Sequence, residues 1–109
     1  MSQITTHVLD TAKGRPAAGI RIQLQNQSGK TIAQGSTNED GRIGDLLEKG
    51  LTLPPGIYQM HFDTGSYFKM NNLPVFYPGV MIQFTIFDNS HYHIPLLLSP
   101  FGYSTYRGS

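Results

Sequence analysis

The feature that most constrains the fold of this chain is a series of short segments in which apolar and polar residues alternate. Twelve Gly and seven Pro punctuate these segments within 109 residues. Alternation with a period of two is typical of strands that bury one face, and frequent turn signals between such strands are typical of an all-β sandwich. At this length we expect a single domain over residues 1–109.

The alternation also predicts where the strands lie and which side chains face the core. Strands are predicted over 20–25, 30–37, 57–63, 80–88, 91–99 and 103–107, and a strand-like segment surrounds His7. The side chains predicted to face inward are Ile20, Ile22, Leu24, Tyr58, Met60, Phe62, Val80, Ile82, Phe84, Ile86, Tyr92, Ile94, Leu96 and Leu98. Only the segment from Gly65 to Asn72 has a helical pattern, of about two turns.

Two outward strand faces carry more apolar surface than solvent-facing strands usually do. One consists of His91, His93, Pro95 and Leu97, and the other consists of Met81, Gln83, Thr85 and Phe87. Apolar surface of this kind favours self-association, and we read the two as a mixed face. We therefore expect His93 to point toward a neighbouring subunit or a cleft.

The composition argues against several classes of function. The chain contains no Cys, so it has neither a disulfide framework nor a thiolate site. Its net charge is +1 and its eight Lys and Arg are scattered singly, which argues against nucleic-acid binding. The absence of a long apolar run and of a signal-peptide pattern predicts no membrane association. We expect a cytoplasmic location, or a periplasmic one only if a leader was removed.

Reactive side chains are concentrated at the C-terminal end, where residues 91–109 include two His and one Arg. Chain termini are usually poorly ordered and carry little information. We therefore interpret a terminal segment with this many reactive groups as functional. Taken alone, His7 is interpreted as an exposed edge-strand residue and Arg42 as a solvated turn residue. His91 and His93, with His7 or His61, leave a zinc site as a weak alternative, and we expect no metal. Spacing alone thus predicts a β-sandwich with a reactive C-terminal strand.

Motifs along the whole chain resemble the transthyretin superfamily. HVLDT at 7–11 followed by GRPA at 14–17 is similar to its opening signature, and IPLLLSP at 94–100 leading to YST at 103–105 is similar to its closing one. Between them, TN-x-DGR at 37–42 and FDTG-x-YF at 62–68 continue the resemblance. The terminal YRGS at 106–109 is similar to the tetrapeptide that separates the 5-hydroxyisourate hydrolases of this superfamily from its hormone carriers.

This resemblance implies a transthyretin-like sandwich of two sheets and about eight strands with one short α-helix. It also implies a homotetramer, built as a dimer of dimers, with sites where the dimers meet. The implied reaction is the hydrolysis of 5-hydroxyisourate to 2-oxo-4-hydroxy-4-carboxy-5-ureidoimidazoline in urate breakdown, without a cofactor. Carried over to this chain, the catalytic set is His7, Arg42, His93 and Ser109, and the substrate-binding set adds Tyr106, Arg107 and Gly108.

The chemistry of the reaction suits these residue types. Opening a lactam ring with water requires a base and an acid that work near neutral pH, and histidine titrates in that range. We assign His7 as the base and His93 as a group that helps to hold water and protons. The planar fork of Arg42 suits a flat, carbonyl-rich anion. Thr105 is expected to orient a neighbouring histidine from outside the site.

Two other functions remain open at this point. The first is a non-catalytic carrier of thyroid-hormone-like molecules, which the polar set at His7, Arg42 and His93 argues against. The second is a β-sandwich interaction module that uses exposed aromatic residues such as Tyr67 or Phe76. Neither alternative explains the reactive tail. We also expect residues added after Ser109 to impair turnover without changing the fold.

Overall fold

The computed structural model describes residues 2–108 as a sandwich of two four-stranded sheets and one short helix. The strands are β1 (Ile4–Asp10), β2 (Arg15–Pro16), β3 (Arg21–Asn26), β4 (Thr31–Ser36), β5 (Gly56–Phe62), β6 (Val80–Ile86), β7 (Tyr92–Ser99) and β8 (Gly102–Thr105). The helix α1 (Thr64–Met70) follows β5. Sheet I has the order β2-β1-β7-β8 and sheet II the order β4-β3-β5-β6. The predicted fold class is confirmed.

The alternating segments form strands because one face of each sheet packs against the other sheet. Ile22 and Leu24 of β3 and Met60 and Phe62 of β5 are fully buried, as are Val8 and Leu96 of sheet I. Burial of a side chain of this size contributes roughly 1.5–3 kcal/mol relative to leaving it exposed. Ile82 and Phe84, predicted to face the core, are only half-buried at its margin, because β6 is an edge strand of sheet II.

The helix begins one residue earlier and ends two residues earlier than predicted. The Asp63 carboxylate caps its first turn by accepting a hydrogen bond from the Ser66 backbone N–H, at 3.2 Å. Such a cap satisfies a backbone donor that has no partner within the helix. The helix ends before Asn72, whose φ of 56° lies in the left-handed region. No helix among residues 2–108 is long and apolar enough to cross a membrane.

Two predictions about the surface are corrected by the topology. β1 lies between β2 and β7, so His7 is not on an edge strand. Leu97 and Met81 belong to different sheets, so the apolar outward residues do not form one mixed face. Met81, in the edge strand β6, is nevertheless 50% exposed, and Phe87, which directly follows β6, is 69% exposed.

The last strand is shorter than predicted because of Pro95. β7 pairs with β8 up to Leu96 opposite Thr105, and the next pair in this register would be Pro95 and Tyr106. Proline has no backbone N–H to donate, so the ladder stops there. The Pro95 carbonyl instead accepts a hydrogen bond from the Thr105 hydroxyl, at 2.7 Å. The same register resumes at an isolated bridge between His93 and Gly108.

Candidate active site

The outer face of sheet I brings together residues that are far apart in the sequence. Parallel pairing of β1 with β7 sets Thr5 beside His93 and His7 beside Pro95. Because successive residues of a strand face opposite sides, Thr5, His7, His93 and Pro95 share the face that points away from the core. Two residues along a strand correspond to roughly 7 Å, so His7 lies one step along this face from the Thr5–His93 pair.

A tight loop places Arg42 on the same face. The Asn38 side-chain oxygen accepts hydrogen bonds from the backbone N–H groups of Asp40, at 2.9 Å, and of Arg42, at 3.1 Å. The Gly41 carbonyl accepts from the Val8 N–H at 2.8 Å, and an isolated antiparallel bridge pairs Arg42 with His7. Directly opposed residues project to the same side of a sheet, so Arg42 joins His7 there.

Gly41 permits this docking for two reasons. Its φ of +74° lies in the region that favours glycine, and a Cβ at this position would lie 2.3 Å from the Val8 carbonyl oxygen. Any side chain would therefore push the loop, and Arg42 with it, away from β1.

The C-terminal segment closes the other side of the face. The Gly108 N–H donates to the His93 carbonyl oxygen at 2.8 Å. A Cβ on Gly108 would lie 2.6 Å from His93 Cδ2, so the glycine backbone is packed against the imidazole. Ser109, predicted as catalytic, lies outside the described residues.

Arg107 and Tyr106 face a different part of the molecule. The Arg107 guanidinium lies 4.2 Å from the centre of the Tyr92 ring, and its Nη2 donates to the His91 carbonyl oxygen at 3.3 Å. Tyr106 and Arg107 line a cavity of about 360 Å³ at the open edge of the sandwich, together with Phe84 and Ile94. The guanidinium therefore holds the tail against the start of β7.

The His93 ring has a fixed partner and a shifted pKa. The Thr5 hydroxyl lies 2.8 Å from its Nδ1 and 2.7 Å from Nε2 of His91. Burial lowers the pKa of His93 below its ordinary value of 6.5, and the Arg42 charge and the neighbouring His91 and His7 rings lower it further. The ring is therefore neutral at pH 7, which a general base must be.

Arg42, His93 and their neighbours line an open cavity of about 460 Å³. Its lining includes Thr5, Asn38, Arg42, His91 and His93. No carboxylate is among the described residues that line it. Histidine and arginine without a counter-charge favour a ligand that is polar and anionic.

The structure brings some of the predicted site residues together and adds one that was not predicted. His7, Arg42, His93 and Gly108 lie together, whereas the Thr105 hydroxyl bonds the Pro95 carbonyl and Thr5 is the hydroxyl at the histidine rings. The available signal for Thr5 was its spacing, because a residue two positions before His7 must share its face.

The described residues do not provide a complete ligand set for the zinc site that the sequence left as a weak alternative. His91 and His93 are stacked, with ring centres 6.3 Å apart, but His61 belongs to β5 in the other sheet. Within residues 2–108, no three His, Asp or Glu side chains are grouped to hold a metal ion. Three protein ligands are the usual minimum for zinc.

Comparison with known proteins gives consistent matches over the whole domain. The model of the HIUase/Transthyretin family matches residues 4–108. A protein of Rhizobium meliloti named 5-hydroxyisourate hydrolase 2 is 47% identical over 115 aligned residues, which cover 98% of this chain and 96% of that protein.

Solved structures match equally well. The structure of Klebsiella pneumoniae 5-hydroxyisourate hydrolase has a TM-score of 0.88 and 38% identity, covering 97% of this chain and 98% of that one. Sea bream transthyretin in complex with thyroxine has a TM-score of 0.89 and 29% identity, covering 97% of this chain and 94% of that one. The fold is thus shared by a hydrolase and a transthyretin that binds thyroxine, and the site must distinguish them.

Proposed function

Because the chain belongs to the HIUase/transthyretin family, we propose that the outer face of sheet I is the site at which it hydrolyses 5-hydroxyisourate. The hydrolase activity rests on 47% identity to a curated hydrolase across nearly the full length of both chains. The observation that supports this location is the meeting of His7, Arg42, His93 and Gly108 across one face.

His93 is proposed as the base that activates water. Its lowered pKa keeps the imidazole neutral at pH 7, and the hydrogen bond at Nδ1 holds the ring in one orientation. A positioned base of this kind accelerates a reaction about 10²- to 10⁴-fold. This assignment gives His93 the role that the sequence analysis gave to His7.

His7 and Arg42 are proposed to act on the substrate. His7 lies between the Arg42 loop and β7, where its imidazole can deliver a proton to the nitrogen that leaves when the lactam C–N bond breaks. The Arg42 guanidinium is exposed at the cavity, and its donors suit the oxyanion that forms on the attacked carbonyl. Water supplies one oxygen of the new carboxylate, the other being the former carbonyl oxygen. The reaction involves neither oxidation nor reduction.

The tail is proposed to complete the site through its backbone. Gly108 packs against the imidazole of His93, and Arg107 fixes the tail by stacking on Tyr92. In this view Arg107 anchors the tail and does not contact substrate.

A homotetramer, arranged as a dimer of dimers, is proposed for the assembly. β6 and β8 are edge strands of the two sheets, and unpaired strand edges favour association between chains. The apolar side chains of Met81, Phe87 and Tyr106 are exposed at or near these edges. Light scattering after size-exclusion chromatography should give the mass of four 12.1 kDa chains, and a monomeric mass would contradict the proposal.

The decisive experiment follows the ultraviolet absorbance of freshly generated 5-hydroxyisourate with and without the protein. The proposal requires a decay that is faster in proportion to protein concentration. Saturable thyroxine binding by a protein that leaves this decay unchanged would favour the carrier alternative.

A further inference from the structure

We propose that Thr5 and His91 are positioning residues that set the tautomer of His93. This inference rests on the proposed function, in which His93 is the base. The Thr5 hydroxyl stands between the two rings, 2.8 Å from Nδ1 of His93 and 2.7 Å from Nε2 of His91. Both distances are those of well-formed hydrogen bonds.

The arrangement is fixed by the backbone. Thr5 lies directly opposite His93 in the parallel β1–β7 pair, and His91 precedes His93 by two positions. The two imidazole planes are inclined by only 23°. Thr5 and both histidines are half-buried, so solvent competes with these hydrogen bonds less than at an open surface.

One hydroxyl proton links the two rings. A threonine hydroxyl has one proton and two acceptor lone pairs, so it donates to at most one of the two ring nitrogens and accepts from any other that it bonds. When Thr5 donates to Nε2 of His91, it accepts the proton that His93 carries on Nδ1. The Nε2 of His93 then has a free electron pair, which is the state that a water-activating base requires.

The opposite orientation would inactivate the base. When Thr5 donates to Nδ1 of His93, the proton of the neutral ring moves to Nε2, and Nε2 can no longer accept a proton from water. The Nε2 of His91 is the acceptor that keeps Thr5 in the productive orientation. Its role is therefore to act on His93 through Thr5 and not to contact the substrate.

The test compares Thr5→Val with Thr5→Ser. Valine keeps the branched shape of threonine on the strand and removes only the hydroxyl, whereas serine keeps the hydroxyl. We expect Thr5→Val to lower kcat by about 10- to 100-fold with little change in KM, a loss like that seen when a group that orients a metal-bound histidine is removed. Thr5→Ser should recover most of kcat. Thr31→Val on sheet II is the matched control and should retain full activity.

The second readout is independent of activity. Nitrogen-15 NMR of the imidazoles should show the Nδ1–H tautomer for His93 in the unaltered protein. In Thr5→Val the ring loses its partner and should change to the Nε2–H tautomer, which an isolated neutral histidine prefers. His91→Phe should give the same tautomer, because the freed hydroxyl then donates to His93.

The possible results separate this inference from the proposed function. An Nε2–H tautomer in the unaltered protein, or an unchanged tautomer and kcat in both Thr5→Val and His91→Phe, would overturn the positioning role. If the unaltered protein leaves 5-hydroxyisourate decay unchanged, the proposed function fails, while the tautomer comparison still decides whether Thr5 and His91 control His93.

Discussion

The outer faces of the two sheets each bring a histidine, an arginine and a closely packed glycine together. On sheet I they are His93 and Arg42, which line the 460 Å³ cavity, and Gly108, which packs against His93. On sheet II the corresponding residues are His61, Arg21 and Gly79, in or beside a cavity of about 250 Å³. The residue types are the same, so the difference between the two faces must lie in what surrounds them.

The first difference is charge. The sheet II cavity is also lined by Asp63, whose carboxylate offsets the charge of Arg21 and disfavours an anionic ligand. Among the described residues, the sheet I cavity has no such carboxylate. Of these two arginines, Arg42 is therefore the one placed to attract an anion.

The second difference is how the polar side chains bond to one another. On sheet II a row of amides runs across three strands, with Gln59 donating to Gln25 at 3.0 Å and Gln83 donating to Gln59 at 3.3 Å. Such mutual bonding stabilises a surface and leaves its groups less available for chemistry. On sheet I the Thr5 hydroxyl engages one nitrogen of each ring, which leaves His93 Nε2 for a ligand.

The strongest test of this comparison replaces His93 on sheet I and His61 on sheet II, one at a time, with alanine. His93→Ala should lower kcat by about 10²- to 10⁴-fold, because the base is lost while the half-buried position disturbs little packing. His61→Ala is the matched control on sheet II, and its kcat should stay within about twofold of the unaltered protein. Initial rates of 5-hydroxyisourate decay measure both variants. Comparable losses in the two would remove the distinction between the faces.

The second test exchanges the arginines. Arg42→Gln should lower kcat/KM by about 100-fold, because one well-placed donor to a developing oxyanion has an effect of this size. Arg21→Gln removes the same charge from sheet II and should change kcat/KM little. Steady-state kinetics at several substrate concentrations would separate the two variants.

The same variant has a pH dependence of known direction. Burial is the main cause of the lowered pKa of His93, and the Arg42 charge is the next. Removing that charge should raise the pKa of His93 toward its ordinary value while leaving the effect of burial in place. Since the base must be neutral, the acid limb of the kcat/KM profile, which reports groups of the free enzyme, should move to higher pH in Arg42→Gln. An unmoved limb would show that His93 is not the group that titrates.

Much of the fold was predictable because the alternation that marks a strand lies within a short stretch of sequence. Alternation located the strands that bury Ile22 and Leu96, and Gly65 with the Asn71–Asn72 pair located the helix to within two residues. β2, with two residues, is too short to show any alternation.

The site was predictable only in part because its geometry depends on long-range pairing. The resemblance supplied His7, Arg42 and His93, but no local pattern shows that β1 runs parallel to β7 across more than eighty residues. Without that register, Thr5 is an ordinary strand residue and His91 is interpretable only as a weak metal ligand. The end of β8 before Tyr106 depends in the same way on the β7–β8 register. That register sets Pro95, which has no backbone N–H, opposite Tyr106.

The mildest test exchanges the glycines that touch each histidine. An added Cβ at Gly108 would lie 2.6 Å from His93 Cδ2, and one at Gly79 would lie 2.8 Å from His61 Nε2. Both variants therefore displace an imidazole. Gly108 has no positive φ, so Gly108→Ala strains no backbone and should leave Tm nearly unchanged. Because the ring must leave the position in which it bonds the Thr5 hydroxyl, kcat should fall about tenfold, whereas Gly79→Ala should leave kcat unchanged. A fully active Gly108→Ala variant would mean that the orientation of the His93 ring does not limit turnover.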